Sequence, residues 1–222
     1  MTRASENPQR LLIYGAGGHG RVVLDAALAS GDFRLCGLVD DNPEMHKKTL
    51  HGVPVLGGRD ALGSPMAEGC RLVIGIGNPA SRRRLAEGLA EDGWTFASVI
   101  HPSAVIGLGA EIGEGSTVLP TAVLHTDARL GRHVIVNTAS TVDHDARIGD
   151  YVHIAPGAHI GGGVHIGART LVGIGASIIP GVRIGEGVVL GAGAVVIGDV
   201  PDGAVVVGVL ARSIRKDDRG RA

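Results

Sequence analysis

Residues 142–172 read VDHDARIGDYVHIAPGAHIGGGVHIGARTLV, and the spacing within them decides the fold. Val142, Ile148, Ile154, Ile160, Ile166 and Val172 recur every sixth residue, and four places after the first five stand smaller ones: Ala146, Val152, Ala158, Val164 and Thr170. Followed outward, the first series is Ile, Val or Leu at every step from Ile100 to Val196, and the second is Ala, Ser, Thr or Val from Ala104 to Val200. A helix of 3.6-residue period cannot keep such a series on one face, and a strand requires a period of two. A triangular coil can, with each hexad a short strand plus a corner, the large aliphatic pointing inward and the small residue filling the cramped space by the corner. Three hexads make a coil of 18 residues, so residue n stacks on n+18. About six coils at a strand spacing of about 4.8 Å give a prism roughly 28 Å tall. Glycines near corners, as in Ile112-Gly113-Glu114-Gly115 and Ile184-Gly185-Glu186-Gly187, supply backbone conformations that other residues resist.

The bulk composition agrees with a solenoid built of small aliphatics: 37 glycines and only 2% aromatic residues in 222. Net charge is -1, which leaves no electrostatic footprint for nucleic acid or an anionic membrane surface and points to a small-molecule partner. Cys36 and Cys70 stand far apart with no metal-type spacing, and the polar start MTRASENPQR precedes an apolar run of only LLIY. The expectation is a cytoplasmic protein without a membrane span, a disulfide or a metal.

The first half has another character. Leu11 to Tyr14 reads as a strand, Gly15-Ala16-Gly17-Gly18-His19-Gly20 as a glycine-rich turn, and Arg21 to Ala29 as an amphipathic helix. In that context G-x-G-x-x-G cradles phosphate on helix N–H groups. Leu35 to Val39 predicts a second strand ending in Asp40-Asp41, an acidic pair at the distance that meets a ribose hydroxyl in dinucleotide folds. Leu72 to Ile76, ending in Gly77-Asn78, predicts a third strand, and Pro79 to Glu91 a helix. Taken alone, the motif leaves NAD, another phosphate ligand and a plain helix-packing turn open. The predicted organisation is an α/β half-Rossmann unit over 1–97 followed by a parallel β-helix with a C-terminal tail over 98–222.

A half-Rossmann unit beside [LIV]-G-x-x-[STAV]-x repeats resembles the bacterial hexapeptide-repeat sugar O-/N-acetyltransferase family. That family includes sialic acid O-acetyltransferases and the N-acetyltransferases of UDP-4-amino sugars of the bacillosamine pathway and of GDP-perosamine. The matching stretches are Ile13 to Gly20, Val39-Asp40-Asp41, Ile74 to Asn78, and Asn137-Thr138 through Val142-Asp143-His144-Asp145. The resemblance implies a left-handed coil, homotrimers with active sites between subunits, and acetyl-CoA as co-substrate, with no metal and no NAD. It also implies that Gly15, Gly17, Gly18, His19, Gly20, Asp40, Asp41, Asn78 and Asn137 hold a nucleotide-linked sugar.

Acyl transfer from a thioester to an amine needs a base for the amine proton and a donor for the oxyanion. By phase, His144 sits two places after the inward Val142, at a corner and pointing outward. The segment His144-Asp145 is similar to the family's catalytic signature, which implies His144 as general base and Asp145 as the acid that tunes it. His153 falls where the family has a histidine near the thioester, and Gly162, one coil beyond His144, matches the family's N–H donor to the thioester carbonyl. The expected activity is N-acetylation of a nucleotide-linked 4-amino sugar in glycan biosynthesis, with sialic acid O-acetylation as the alternative. A zinc carbonic anhydrase-like trimer and a non-enzymic scaffold are the further alternatives, against which stand the histidine spacings and the complete N-terminal unit. Leu210 in Gly208-Val209-Leu210-Ala211-Arg212 departs from the family's Pro and bears on the grip of the coenzyme tail. Arg212, Arg215 and Lys216 are candidate phosphate contacts.

Overall fold

The computed structural model describes residues 8–213; Arg215 and Lys216 lie outside the described residues. The N-terminal unit is a five-stranded sheet in the order β3-β4-β2-β1-β5, from β1 (Gln9–Tyr14), β2 (Phe33–Val39), β3 (Thr49–Leu50), β4 (Val53–Gly57) and β5 (Arg71–Ile74). All neighbours are parallel except β3 with β4. Helix α1 (Gly18–Ser30) packs on the face formed by Leu11, Ile13, Leu38 and Val73, while α2 (Pro79–Glu91) packs on the opposite face with Leu12, Tyr14, Leu72 and Ile74. The alternation along β1 is the period of two expected of a strand buried on both faces.

Two sequence expectations change. The strand predicted to run to Ile76 stops at Ile74: Gly75 makes the last ladder bond, to the Tyr14 carbonyl, and lies against the Gly20 Cα. Helix α1 starts three residues earlier than predicted, at Gly18, so the glycine turn itself supplies the first helical turn.

From Val99 onward the chain is a three-faced prism. The first face carries strands such as Thr117–Val118, Ile135–Val136 and His153–Ile154; the second carries Val123–Leu124, Thr141–Val142 and His159–Ile160; the third carries Arg129–Leu130, Arg147–Ile148 and His165–Ile166. Each strand pairs in parallel with the strand 18 residues on, for example Leu124 with Val142 and Ile148 with Ile166. The large aliphatics from Val118 to Val196 and the small residues from Ser116 to Ala194 are all buried. Ile106 is partly exposed, at the open N-terminal end of the second face.

The period fails once, at the far end. Val200, expected at a small-residue position, bridges Ile184, and Val206 pairs with Leu190; both are steps of 16, so the last coil is two residues short. Arg212–Ser213 then turns back antiparallel on Val205–Val207.

The two units share a core. Val99 and Leu119 of the prism are buried with Val23, Leu24 and Ala27 of α1, and Tyr151 is buried with Leu72, Leu89 and Phe96. Among the described residues no helix is long and apolar enough to cross a membrane. A Cβ built at Gly20 would collide with the Gly15 carbonyl, whereas one at Gly63 meets nothing within 4 Å. Gly20→Ala is therefore expected to lower stability by about 1–3 kcal/mol, the range for overpacking. Gly63→Ala is expected to stay within about 0.5 kcal/mol, and denaturant unfolding of the two variants checks the contrast.

Candidate active site

One group of residues gathers at the carboxyl ends of β1, β2 and β5. A cavity of about 380 Å³ there is lined by Tyr14, Gly15, Gly17, Gly18, His19, Asp40, Asp41, Gly75, Ile76 and Gly77. Gly15 has φ 112, a region that side chains resist, and Gly17 caps α1 with no side-chain acceptor, leaving the helix N-terminus open to an anion. The acidic pair divides its labour. Asp40 accepts from the Ala16 N–H at 2.6 Å and, through its other oxygen, from the Asn42 N–H at 2.8 Å, so it braces the glycine turn. Asp41 takes the Tyr14 hydroxyl at 2.8 Å and the Arg59 N–H at 3.3 Å on Oδ1, which leaves Oδ2 for a ligand. Asn78 caps α2 by accepting from the Ser81 N–H.

The prism meets this unit beside the cavity, at the Gly77 turn. His153, on the first face, bonds through Nδ1 to the Gly77 carbonyl at 2.9 Å, and its ring centre lies 6.0 Å from that of His19. A carbonyl only accepts, so Nδ1 carries the proton and Nε2 accepts from Asn137 Nδ2 at 3.2 Å. Burial, above all, pushes both His19 and His153 down to about 4. Beneath them Arg82, almost fully buried, donates to five carbonyls: Ile76 and Gly77 of the N-terminal unit and His133, Tyr151 and Val152 of the prism.

A second group stands at the corner between the second and third faces. His144 Nδ1 lies 2.9 Å from Asp145 Oδ2, and that hydrogen bond, reinforced by the charge of Asp143, raises the imidazole above its ordinary value. Nε2 is left free. Asp145 has φ 58, a left-handed corner that one coil on is occupied by Gly163, whose N–H holds the His144 carbonyl at 2.8 Å. The ring lies over Gly162: a Cβ there would be 2.6 Å from Nε2. Among the described residues the Gly162 N–H makes no hydrogen bond. His125 sits one coil before Asp143, 3.9 Å from its carboxylate.

In a single chain these groups do not meet. Gly15, Gly17, Gly18, His19, Gly20, Asp40, Asp41, Asn78, Asn137 and His153 belong to the first; His144, Asp145 and Gly162 belong to the second. Sequence reasoning did not find Arg82, His133 or Tyr151. Arg82 was legible, since it occupies the same face of α2 as Ala86 and Leu89, where an apolar residue is expected. A larger cavity of about 580 Å³, lined by Leu62, Cys70 and Trp94 among others, opens at the other end of β5. Its Cys70 thiol donates to the Met66 carbonyl and is pushed up to about 11, chiefly by burial, which leaves it protonated and a poor nucleophile. No cluster of three His, Cys, Asp or Glu able to hold a metal ion occurs among the described residues.

Comparison with known proteins follows the same division. The family model for the PglD N-terminal domain matches residues 10–89, and that for the bacterial transferase hexapeptide (six repeats) matches 163–198. The acetyltransferase domain of PglB from Neisseria gonorrhoeae is 38% identical, with TM-score 0.85, covering 93% of this chain and 100% of that one. A variant of perosamine N-acetyltransferase from Caulobacter crescentus, solved with CoA and GDP-perosamine, is 35% identical with TM-score 0.88, covering 96% and 99%. UDP-N-acetylbacillosamine N-acetyltransferase of Bacillus subtilis is 38% identical over 121 residues; the match spans about half of each chain, 50% of this one and 51% of that enzyme. The fold is thus the α/β unit followed by the parallel β-helix that the repeat suggested, left-handed as the resemblance implied.

Three buried histidines, His19, His153 and His133, are held at about 4, chiefly by burial. The unfolded chain binds these protons near pH 6.5, so their stability contribution is whole above that value and is lost as pH falls toward 4. Each ring steepens the decline by up to about 1.4 kcal/mol per pH unit. His144, raised and exposed, acts in the opposite sense and is screened. Thermal midpoints are expected to fall below pH 6.5; a level midpoint from 6.5 to 5 would show rings already protonated in the folded protein.

Proposed function

The chain belongs to the hexapeptide-repeat sugar N-acetyltransferase family with a PglD-type N-terminal domain, and on that footing we propose that it acetylates the amino group of a nucleotide-linked 4-amino sugar, using acetyl-CoA. The observation that carries this reading is the pair of half-sites: an anion-receptive glycine turn with a free Asp41 oxygen, and a corner histidine backed by a carboxylate. Relatives solved with acetyl-CoA, and with CoA and GDP-perosamine, support both substrates.

The nucleotide diphosphate lies on the glycine turn at the α1 N-terminus, with Asp41 Oδ2 accepting from the nucleoside and Asp40 holding the turn in place. His19, His153 and Asn137 face the sugar as neutral donors and acceptors. At the corner, the amine nitrogen attacks the thioester carbon and passes its proton to His144 Nε2. Asp145 holds Nδ1–H and supports the imidazolium, while the unpaired Gly162 N–H stabilises the oxyanion. The proton then leaves with the CoA thiolate as CoA–SH, and the amide is released. Sialic acid O-acetylation would use the same groups, but the similar enzymes named for a substrate act on amines.

Because the half-sites are apart in one chain, the corner of one copy completes the pocket of another, as in a homotrimer. The second face supports such packing: Val105, Val123, Thr141, His159, Ser177 and Val195 line it outward, with no Asp, Glu, Lys or Arg among them. Free cysteines at 36 and 70 suit a cytoplasmic enzyme.

Three outcomes test this reading. His144→Ala is expected to lower kcat by about 10²–10⁴-fold with assembly and acetyl-CoA binding intact; unchanged turnover removes His144 from the role. Asp145→Asn keeps an acceptor but takes away the negative charge that raises His144, so the acid limb of the pH–rate profile is expected to move to lower pH with a lower plateau. Co-expressed His144→Ala and His19→Ala chains are expected to regain activity in mixed assemblies, which a site contained in one chain would not allow. The substrate itself is decided by offering UDP- and GDP-linked 4-amino sugars and free sialic acid with acetyl-CoA and detecting released thiol; transfer to sialic acid alone would overturn the proposal.

A further inference from the structure

The most unusual buried group in the molecule is Arg82. Burial pulls its guanidinium down to about 9, which still leaves it cationic at neutral pH. A buried charge is normally met by a carboxylate; this one meets five carbonyls and no acid. Three histidines surround it. His133 is stacked on Tyr151 with ring centres 5.2 Å apart and meets the edge of Phe96, and its own carbonyl is an Arg82 acceptor. His153 bonds to the Gly77 carbonyl that Arg82 also holds, at 2.9 Å in each case. His19 reaches the same cluster through His153.

The geometry points to Arg82 as a positioning residue for the reaction: by clamping the Ile76-Gly77 turn to the prism, it fixes His153 as the Nδ1–H tautomer and keeps His153 and His19 neutral in the sugar pocket. Two consequences of one cation are involved. Sharing the Gly77 carbonyl sets the ring orientation, so that Nε2 of His153 turns toward Asn137. The uncompensated charge opposes a second positive charge nearby: it lowers His133 next after burial, His19 after burial and the neighbouring His153, and His153 after burial and against the Gly77 hydrogen bond, which raises that ring. Besides Arg82, His153 lowers His19, and on His133 Arg132 acts to lower it while Glu114 and Asp150 raise it. No carboxylate acts on His19 or His153. A neutral pocket of this kind accepts hydrogen bonds from sugar hydroxyls and an amine without a competing imidazolium, which would repel a protonated amine.

The inference rests on the glycine-turn cavity being the nucleotide-sugar site, but its first readout needs no ligand. In protein labelled with ¹⁵N-histidine, with resonances assigned by His19→Asn and His153→Asn, His153 is expected to show the neutral Nδ1–H tautomer at pH 5.5, and His19 a neutral ring. A protonated ring, or Nε2–H in His153, overturns the proposal whatever the substrate proves to be. In Arg82→Met both rings are expected to titrate closer to the ordinary value of about 6.5. KM for the nucleotide-linked sugar is expected to rise at least about 10-fold, while KM for acetyl-CoA changes less than about 2-fold. Arg82→Lys, which keeps the charge with fewer donors, should restore the neutral rings and part of the KM. If Arg82→Met does not assemble, Arg82→Lys and the wild-type titration decide alone. Rings and KM unmoved in an assembled Arg82 variant would leave it a structural clamp only.

Discussion

A left-handed corner repeated every sixth residue is the constraint on which the prism depends. From Gly109 to Gly193 each such corner has positive φ, and each from Asp127 onward sends its N–H to the carbonyl 19 residues earlier, as Asp145 does to Thr126 and Gly163 to His144. The strand hydrogen bonds run between coils, and the corner bonds lock the same coils at their edges. A side chain's height and direction are therefore fixed by its place in the hexad. That is what lets two-residue strands, far too short to be stable alone, hold a catalytic constellation still. Glycine serves a second purpose one place after many of the inward aliphatics: at Gly113, Gly149 and Gly167 a Cβ would press within 2.9 Å of the next coil's backbone.

The informative corners are those that break the rule. Left-handed backbone costs a side-chain-bearing residue about 1–2 kcal/mol, yet Thr121, Asp127, His133, Ala139, Asp145, Tyr151 and Arg169 adopt it. Three of these are tied to the site or to its support. His133 and Tyr151 use their corners to stack against each other beneath Phe96 and to turn their carbonyls toward Arg82, joining prism and α/β unit. Asp145 uses its corner to bring a carboxylate back onto the preceding histidine. Local strain here fixes geometry that a glycine would leave undetermined.

How far the sequence could be read follows from the same physics. The six-residue period was legible because every coil repeats one environment, and so were the outward His144 and its stacking on Gly162. The shortened last coil was not, since nothing in Val196 to Val206 marks which two residues are omitted when Val200 continues the small-residue series. The strand ending at Ile74 rather than Ile76 depends on Gly75 approaching Gly20, a contact between segments distant in sequence. The roles within Asp40-Asp41 likewise depend on where Ala16 and Tyr14 arrive. Arg82 carried a signal, a cation on an apolar helix face, but its acceptors are backbone carbonyls, which no residue pattern announces.

The two half-sites shift their histidines in opposite directions, and the difference bears on why the chemistry is divided between copies. His19 and His153 are buried within one chain and are held low, suited to recognising a sugar without taking its proton. His144 is exposed and held high by Asp145 and Asp143. When a neighbouring copy covers that corner in the proposed assembly, desolvation lowers the imidazole, and a lone histidine would become too weak a base for an amine. The carboxylate bonded to Nδ1 opposes that fall and keeps the imidazole basic. The recognising histidines are thus set within one chain, whereas the corner base stands in water until a neighbouring copy covers it in the proposed assembly.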